Sequence, residues 1–250
     1  MHDELTIGRR GAVAVLTINR PGRRNALGDA LIARLGAVLE ELDADPAVGA
    51  SVLAGCAPGF CAGSDLKELA AMSLDQMCAH EARTAAFCRG IAALAKPVVA
   101  AVEGFALGGG FVLAASCDVV VTARSVRWNL PEVEIGWIPP WGLETLVDRV
   151  GVSRARQLTW GGRPFGGEEA LRLGLADHLA EDGQALALAC EVADGLARLP
   201  HEAVAAAKLY FASHAARNGE SGDRLASRMF RDNCRHDTAR ATLKRFGVQA

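Results

Sequence analysis

Residues 97–122 read PVVAAVEGFALGGGFVLAASCDVVVT, and this stretch decides the fold. It opens on an unbroken apolar run, 97–102, the pattern of a strand buried on both faces. Three consecutive glycines, Gly108, Gly109 and Gly110, then open a segment of helical character over 108–116. Asp118 closes it, and 118–122 is a second unbroken apolar strand. Two buried strands joined through a helix are expected to lie parallel. The same alternation continues upstream. Residues 5–7 and 12–18 read as strands joined by a turn at Gly11, 26–43 as a helix stopped by Asp45-Pro46, 48–54 as a strand and 74–95 as a helix. Downstream of Gly142 the pattern is helical, with one strand signal at 176–179 and none after Pro200. The fold class is therefore α/β. The expected division is a core over residues 1–195 and a helical region over 196–250, which either presents a docking face or caps the same core.

Composition excludes several function classes. Half of the 250 residues are hydrophobic and 22% are charged, which rules out wholesale disorder. Lys plus Arg (27) nearly balances Asp plus Glu (29), so no nucleic-acid-coating surface is expected. The longest uncharged apolar stretch, 105–117, is too short and glycine-rich to span a membrane. Seven scattered cysteines without a CxxC pair read as reduced thiols, mostly in the core, and with no leader in sight the chain is expected to be cytoplasmic. Neither HExxH nor a carboxylate cluster suggests a metal. His80 and His236 have no ligand partner at i+4 and are expected at the surface or an interface.

Two loops carry the chemistry. Glycines at 108–110 leave backbone N–H groups free at a helix start. No GK[ST] follows, so this is no phosphate-cradling loop, and the spacing does not fit a dinucleotide fingerprint. The second loop, Gly59 to Leu66 (GFCAGSDL), follows the strand at 48–54, with Asp65 placed to cap the next helix. Each loop can aim one N–H at a common point, and an oxyanion hole needs two.

Asn19-Arg20-Pro21 with Asn25-Ala26-Leu27, Phe60 to Leu69 (FCAGSDLKEL), Gly104 to Gly110 (GFALGGG) with Cys117-Asp118, Leu130 to Gly136 (LPEVEIG) and Gly174-Leu175-Ala176 follow one another in order. Together they resemble the crotonase family, the enoyl-CoA hydratases and isomerases. The resemblance implies a spiral of ββα turns with a helical C-terminal trimerisation region, and an assembly that is a homotrimer or a dimer of trimers. It implies an acyl-CoA thioester substrate whose enolate is held by the backbone N–H groups of Ser64 and Gly109. It also implies CoA contacts from Ala62, Asp65 and Leu66 and from Arg23 and Arg24, and no cofactor beyond the CoA of the substrate.

Hydratases of this family use two glutamates. The one in the PE segment is present as Glu132, but the one after the glycines is replaced by Val112. A pocket-facing valine dries that wall and is expected to raise the pKa of Glu132. One carboxylate beside an oxyanion hole resembles the single-glutamate isomerases, which move a proton from C2 to C4. Isomerisation is therefore the leading expectation. Hydration assisted by another acid, Glu134 or Glu144, is the alternative, followed by decarboxylation or thioester hydrolysis and by a weakly catalytic CoA-binding protein. Trp137 and Trp141 stand where the family usually has glycines, which points to a compact or aromatic acyl group, or else to core contacts.

Overall fold

The computed structural model describes residues 3–161 and 163–245, with only the backbone described for 214–217. Ten helices and eight strands occur among them: β1 (Leu5–Arg10), β2 (Val13–Ile18), α1 (Asp29–Ala44), β3 (Ala50–Gly55), α2 (Leu66–Leu69), α3 (Leu74–Ala93), β4 (Val98–Val102), β5 (Phe105–Leu107), α4 (Gly109–Ala115), β6 (Val119–Ala123), β7 (Arg127–Asn129), α5 (Leu143–Val150), α6 (Val152–Gly161), α7 (Gly167–Leu173), β8 (His178–Ala180), α8 (Ala185–Ala197), α9 (His201–Asn233) and α10 (Asp237–Arg245).

The strands form a six-stranded sheet in the order β1-β2-β3-β4-β6-β8 and a second sheet of β5 and β7. Only the β1–β2 hairpin is antiparallel; every other ladder is parallel. The unbroken apolar runs explain this. β4 is buried along its whole length, as a strand covered on both faces must be. β4-β5-α4 and β6-β7-α5 are successive ββα turns, stacked through the β4–β6 and β5–β7 ladders. A bridge from Cys61 to Ala106 joins the loop after β3 to the second sheet and makes it the preceding turn. This is the expected spiral, with β5 and β7 as additions. At three residues each they are too short to carry a periodic signal.

Helix α1 buries Leu31, Leu35, Val38, Leu39 and Leu42, one face at helical spacing. It starts three residues later than the apolar pattern suggests. Leu27 is stitched instead to the loop at 63–65: its N–H donates to Gly63 O at 2.8 Å and its carbonyl accepts from Asp65 N at 2.9 Å. Helix α3 begins at a reciprocal cap. Ser73 Oγ accepts from Gln76 N and Gln76 Oε1 accepts from Ser73 N. Helix α4 is too short to be stable alone. It is held by burial, with Phe111 edge-on to Trp128 at 5.2 Å and both rings inaccessible to water.

The C-terminal helices bury one set of residues and leave another exposed. Phe230, Cys234, Ala239 and Leu243 bury against Leu69, Met77, Cys78 and Trp137 in a second hydrophobic cluster. Leu209, Phe211, Leu225 and Met229 of α9 stay exposed. Residues 246–250 of that region lie outside the described residues. Six of the seven cysteines are buried thiols and Cys56 is half-buried. No described helix is long and apolar enough to cross a membrane.

Candidate active site

The loop after β3 and the start of α4 meet at one end of a narrow cavity of about 110 Å³. Gly63 (φ +86) and Gly108 (φ +52) make that meeting possible. A side chain on Gly63 would lie 2.9 Å from Gly109 N, and one on Gly108 would lie 2.7 Å from Glu132 Oε1. Both positions combine positive φ with backbone or carboxylate contact, which only glycine tolerates. A Cβ placed on Gly109 would lie 3.6 Å from Ser64 N. Neither the Ser64 nor the Gly109 N–H has an acceptor among the described residues, while their neighbours are paired: Asp65 N to Leu27 O, and Gly108 N to Asn129 O at 2.9 Å. Both residues line the cavity with an unpaired N–H, which is the pair of donors an oxyanion site needs.

The Asn-Arg-Pro and Asn-Ala-Leu segments support this loop rather than the ligand. Asn25 accepts from Arg20 N and donates to Cys56 O and Gly59 O, both at 2.6 Å, tying the β2 exit to the β3 exit. Arg20 donates to Ala26 O at 2.6 Å and to the carboxylates of Glu4 and Glu68, both at 2.9 Å. Asp65 caps α2 through Lys67 N and Glu68 N and pairs with Arg20 and Arg23.

Glu132 lies in the turn after β7, where Trp137 N donates to its carbonyl at 3.0 Å. Its side chain lines the cavity, is 8% exposed, and leaves Oε2 without a partner. Burial pushes its carboxyl up to about 7, with the charge of Glu81 adding to the effect. A carboxyl poised there exists in both forms at neutral pH and can give or take a proton.

Of the other expected site residues, Ala62, Leu66, Val112, Trp137 and Trp141 line the same cavity. Val112 is packed so closely on Gly142 that a Cβ there would sit 2.1 Å from Val112 Cγ1. Trp137 is both a wall and a core residue, edge-on to Phe230 at 5.9 Å. Asp65, Arg23 and Arg24 do not line the cavity; Arg24 is exposed, with its guanidinium 4.6 Å above the Phe105 ring. Glu134 is exposed and Glu144 lines a different groove, so neither reaches the cavity. Cys61 is buried and its thiol is pushed up to about 12 by burial, which leaves it inert as a nucleophile. No metal-binding cluster occurs among the described residues.

One expectation is corrected on α3. His80 is fully buried, with Nδ1 2.9 Å from Asp29 Oδ1, because this helix turns that face toward the start of α1. His236 is exposed as expected. The residue missed altogether is Glu81, 5% exposed and lining the cavity. It accepts from Ser64 Oγ at 2.8 Å and from Trp141 Nε1 at 2.7 Å. Its signal was present in the sequence: Met77, Cys78, Glu81, Ala85, Cys88 and Ile91 share one helical face, and an acid on an apolar stripe demands a reason.

The enoyl-CoA hydratase/isomerase family model matches residues 8–248. A "Probable enoyl-CoA hydratase" of Rhizobium meliloti is 36% identical over 208 residues, 83% of this chain and 80% of that protein. The 2,3-dehydroadipyl-CoA hydratase of Escherichia coli is 36% identical over 206 residues, 82% of this chain and 80% of its own length. Among solved structures, an enoyl-CoA hydratase from Mycobacterium avium superposes with a TM-score of 0.87 at 29% identity, covering 98% of this chain and 96% of that one. From this agreement of motif, fold and site, the chain belongs to the enoyl-CoA hydratase/isomerase family, the crotonase superfamily, whose members act on acyl-CoA thioesters.

Proposed function

We propose that this protein hydrates a 2-enoyl-CoA thioester with a compact acyl group, and dehydrates the 3-hydroxyacyl product in reverse. The observation that carries the reading is the Glu132 carboxyl: buried, raised to about 7, one oxygen unpartnered, in the same cavity as two unpaired N–H groups. The thioester carbonyl oxygen accepts from Ser64 N and Gly109 N. Water adds at C3 and gives up one proton to the second carboxylate in the cavity, the double-bond electrons move to that oxygen, and Glu132 delivers its proton to C2. The donors meet a full negative charge only after addition, so they favour the transition state over the substrate. Each is worth roughly 10²–10³ in rate.

The narrow cavity, walled by Trp137, Trp141, Phe230 and Leu243, favours a short acyl chain. Arg23 and Arg24 stand outside it as cations for the phosphates of CoA, and the reaction needs no further cofactor. The exposed apolar side chains of α9 fit burial in a homotrimer or dimer of trimers, and the buried thiols fit a cytoplasmic enzyme.

Hydration is supported by the names of the relatives and by the second carboxylate in the cavity. Isomerisation by Glu132 alone has one observation in its favour, the valine at position 112. The pH profiles separate them. Hydration in either direction needs one proton shared between two carboxyls, so its kcat/KM is bell-shaped and falls above about pH 7. Isomerisation needs Glu132 ionised, so it rises through about pH 7 and stays high. A bell-shaped profile on crotonyl-CoA with slow turnover of a 3-enoyl thioester is expected; a sigmoidal rise with turnover of the 3-enoyl thioester alone would overturn the hydration reading.

A further inference from the structure

We infer that Glu81 is the second carboxylate of the reaction, the acceptor that holds the attacking water, supplied by helix α3 in place of the side chain that Val112 lacks. This rests on the hydration reading above. Position 112 offers only a valine side chain to the cavity, buried and with Cγ1 where a Cβ on Gly142 would otherwise sit, so it can neither hold a water nor take its proton. Glu81 instead reaches the cavity from another element, with its two oxygens fixed by donors from the two loops that bound the cavity, Ser64 Oγ and Trp141 Nε1. Each carboxylate oxygen accepts two hydrogen bonds, so each keeps a lone-pair direction for a water.

The pair divides the labour by its surroundings. Burial raises the Glu81 carboxyl as well, but the donors from Trp141 and Ser64 work against that rise, which suits Glu81 to be the ionised acceptor of the pair. Glu132 has an unpartnered oxygen in apolar surroundings and is suited to hold the proton. In the hydration step the water oxygen bonds to C3, one water proton passes to Glu81, and the π electrons become the enolate. Glu132 then gives its proton to C2 and the thioester carbonyl re-forms. The proton on Glu81 returns to Glu132 by exchange through solvent, which resets the site without an outside reagent.

A role confined to bracing Ser64 and Trp141 predicts something different. It would disturb the oxyanion site, and with it every reaction that passes through an enolate. The distinguishing readout is the ratio of two rates on one protein sample: hydration of crotonyl-CoA, and exchange of the C2 protons of butyryl-CoA in D₂O, which uses Glu132 and the two N–H groups but no attacking water. In Glu81→Gln the ratio is expected to fall at least 100-fold, with exchange kept within about tenfold of wild type. Glu81→Asp, which retracts the charge by one methylene, is expected to lower the ratio less and in the same direction. The ratio is independent of the fraction of folded protein, so partial misfolding does not mask the result. An unchanged ratio in both variants, whether both rates persist or both collapse together, would overturn the assignment. A wild type that exchanges C2 protons but does not hydrate crotonyl-CoA would remove the hydration reading itself, and Glu81 as its water acceptor with it.

Discussion

The two ends of the cavity are built in different ways. In the proposed reaction the thioester end is backbone: Ser64 N in the loop after β3 and Gly109 N at the start of α4, just after β5. The rest of the wall is side chains from distant elements: Glu81 on α3, Trp137 and Trp141 after β7, Phe230 and Leu243 on α9 and α10. A backbone donor is placed by local rules such as a strand end, a positive φ and a cap. A side-chain wall is placed by long-range packing, which a short segment does not encode. On the proposed reading the first end serves any enolate chemistry and the second sets which acyl group enters.

If that contrast holds, the largest stability effect comes from the wall. Trp137→Ala is expected to cost about 3–5 kcal/mol, because a buried ring edge-on to Phe230 is lost. In urea melts this lowers the midpoint. In assays it shifts preference toward longer acyl-CoA chains while exchange at C2 persists. Loss of C2 exchange with unaltered chain-length preference would invert the comparison.

At the backbone end the expected effect is on rate. Gly109→Pro removes one N–H and brings a Cβ to 3.1 Å from the Trp141 ring, so kcat should drop by about 10²–10³, or roughly 3–4 kcal/mol on the barrier. KM for CoA thioesters should change little, because the cationic side chains lie elsewhere. Turnover within threefold of wild type in a folded variant would exclude Gly109 as a donor.

Between the two ends stands Glu132, and its burial makes a prediction about stability. Its folded value of about 7 lies above the ordinary 4.5, so the folded state holds a proton that the unfolded state releases. The cost is absent below about pH 4, grows as pH rises through this interval, and is complete above pH 7. Glu132→Gln should therefore leave stability unchanged at pH 4 and raise it by up to about 3 kcal/mol at pH 8. Equal melting temperatures of the two proteins at pH 8 would show that the carboxyl is better solvated than its position implies.

The smallest effect is expected outside the cavity. Arg24→Ala should raise KM for acyl-CoA about threefold to fivefold at low salt, less at high salt, with kcat unchanged. A larger fall in kcat than rise in KM would move Arg24 into the catalytic machinery.

The same contrast explains what the sequence disclosed. The parallel α/β alternation was legible because apolar runs and glycines report local conformation, and the spiral, the two candidate donor loops and Glu132 came from the ordered family motifs. Helix α1 was overextended because Leu27 obeys helical spacing yet is claimed by the 63–65 loop, a tertiary hydrogen-bond pair that no periodicity reveals. Glu81 and His80 were missed for a related reason. Each is a polar residue on the buried face of an otherwise ordinary helix, and their partners Ser64, Trp141 and Asp29 lie 17, 60 and 51 residues away. Asp65 was legible as a cap but not as the partner of Arg20 and Arg23.

Deuterium uptake at C2 of butyryl-CoA in D₂O, followed by proton NMR for wild type and Glu132→Gln, tests the enolate account most directly. It needs neither a water nucleophile nor a double bond in the substrate. The wild type is expected to exchange the C2 protons stereoselectively. Glu132→Gln should slow exchange by at least 10² while the protein stays folded. Exchange at the wild-type rate in Glu132→Gln would contradict the account and place the proton-transfer group elsewhere in the cavity.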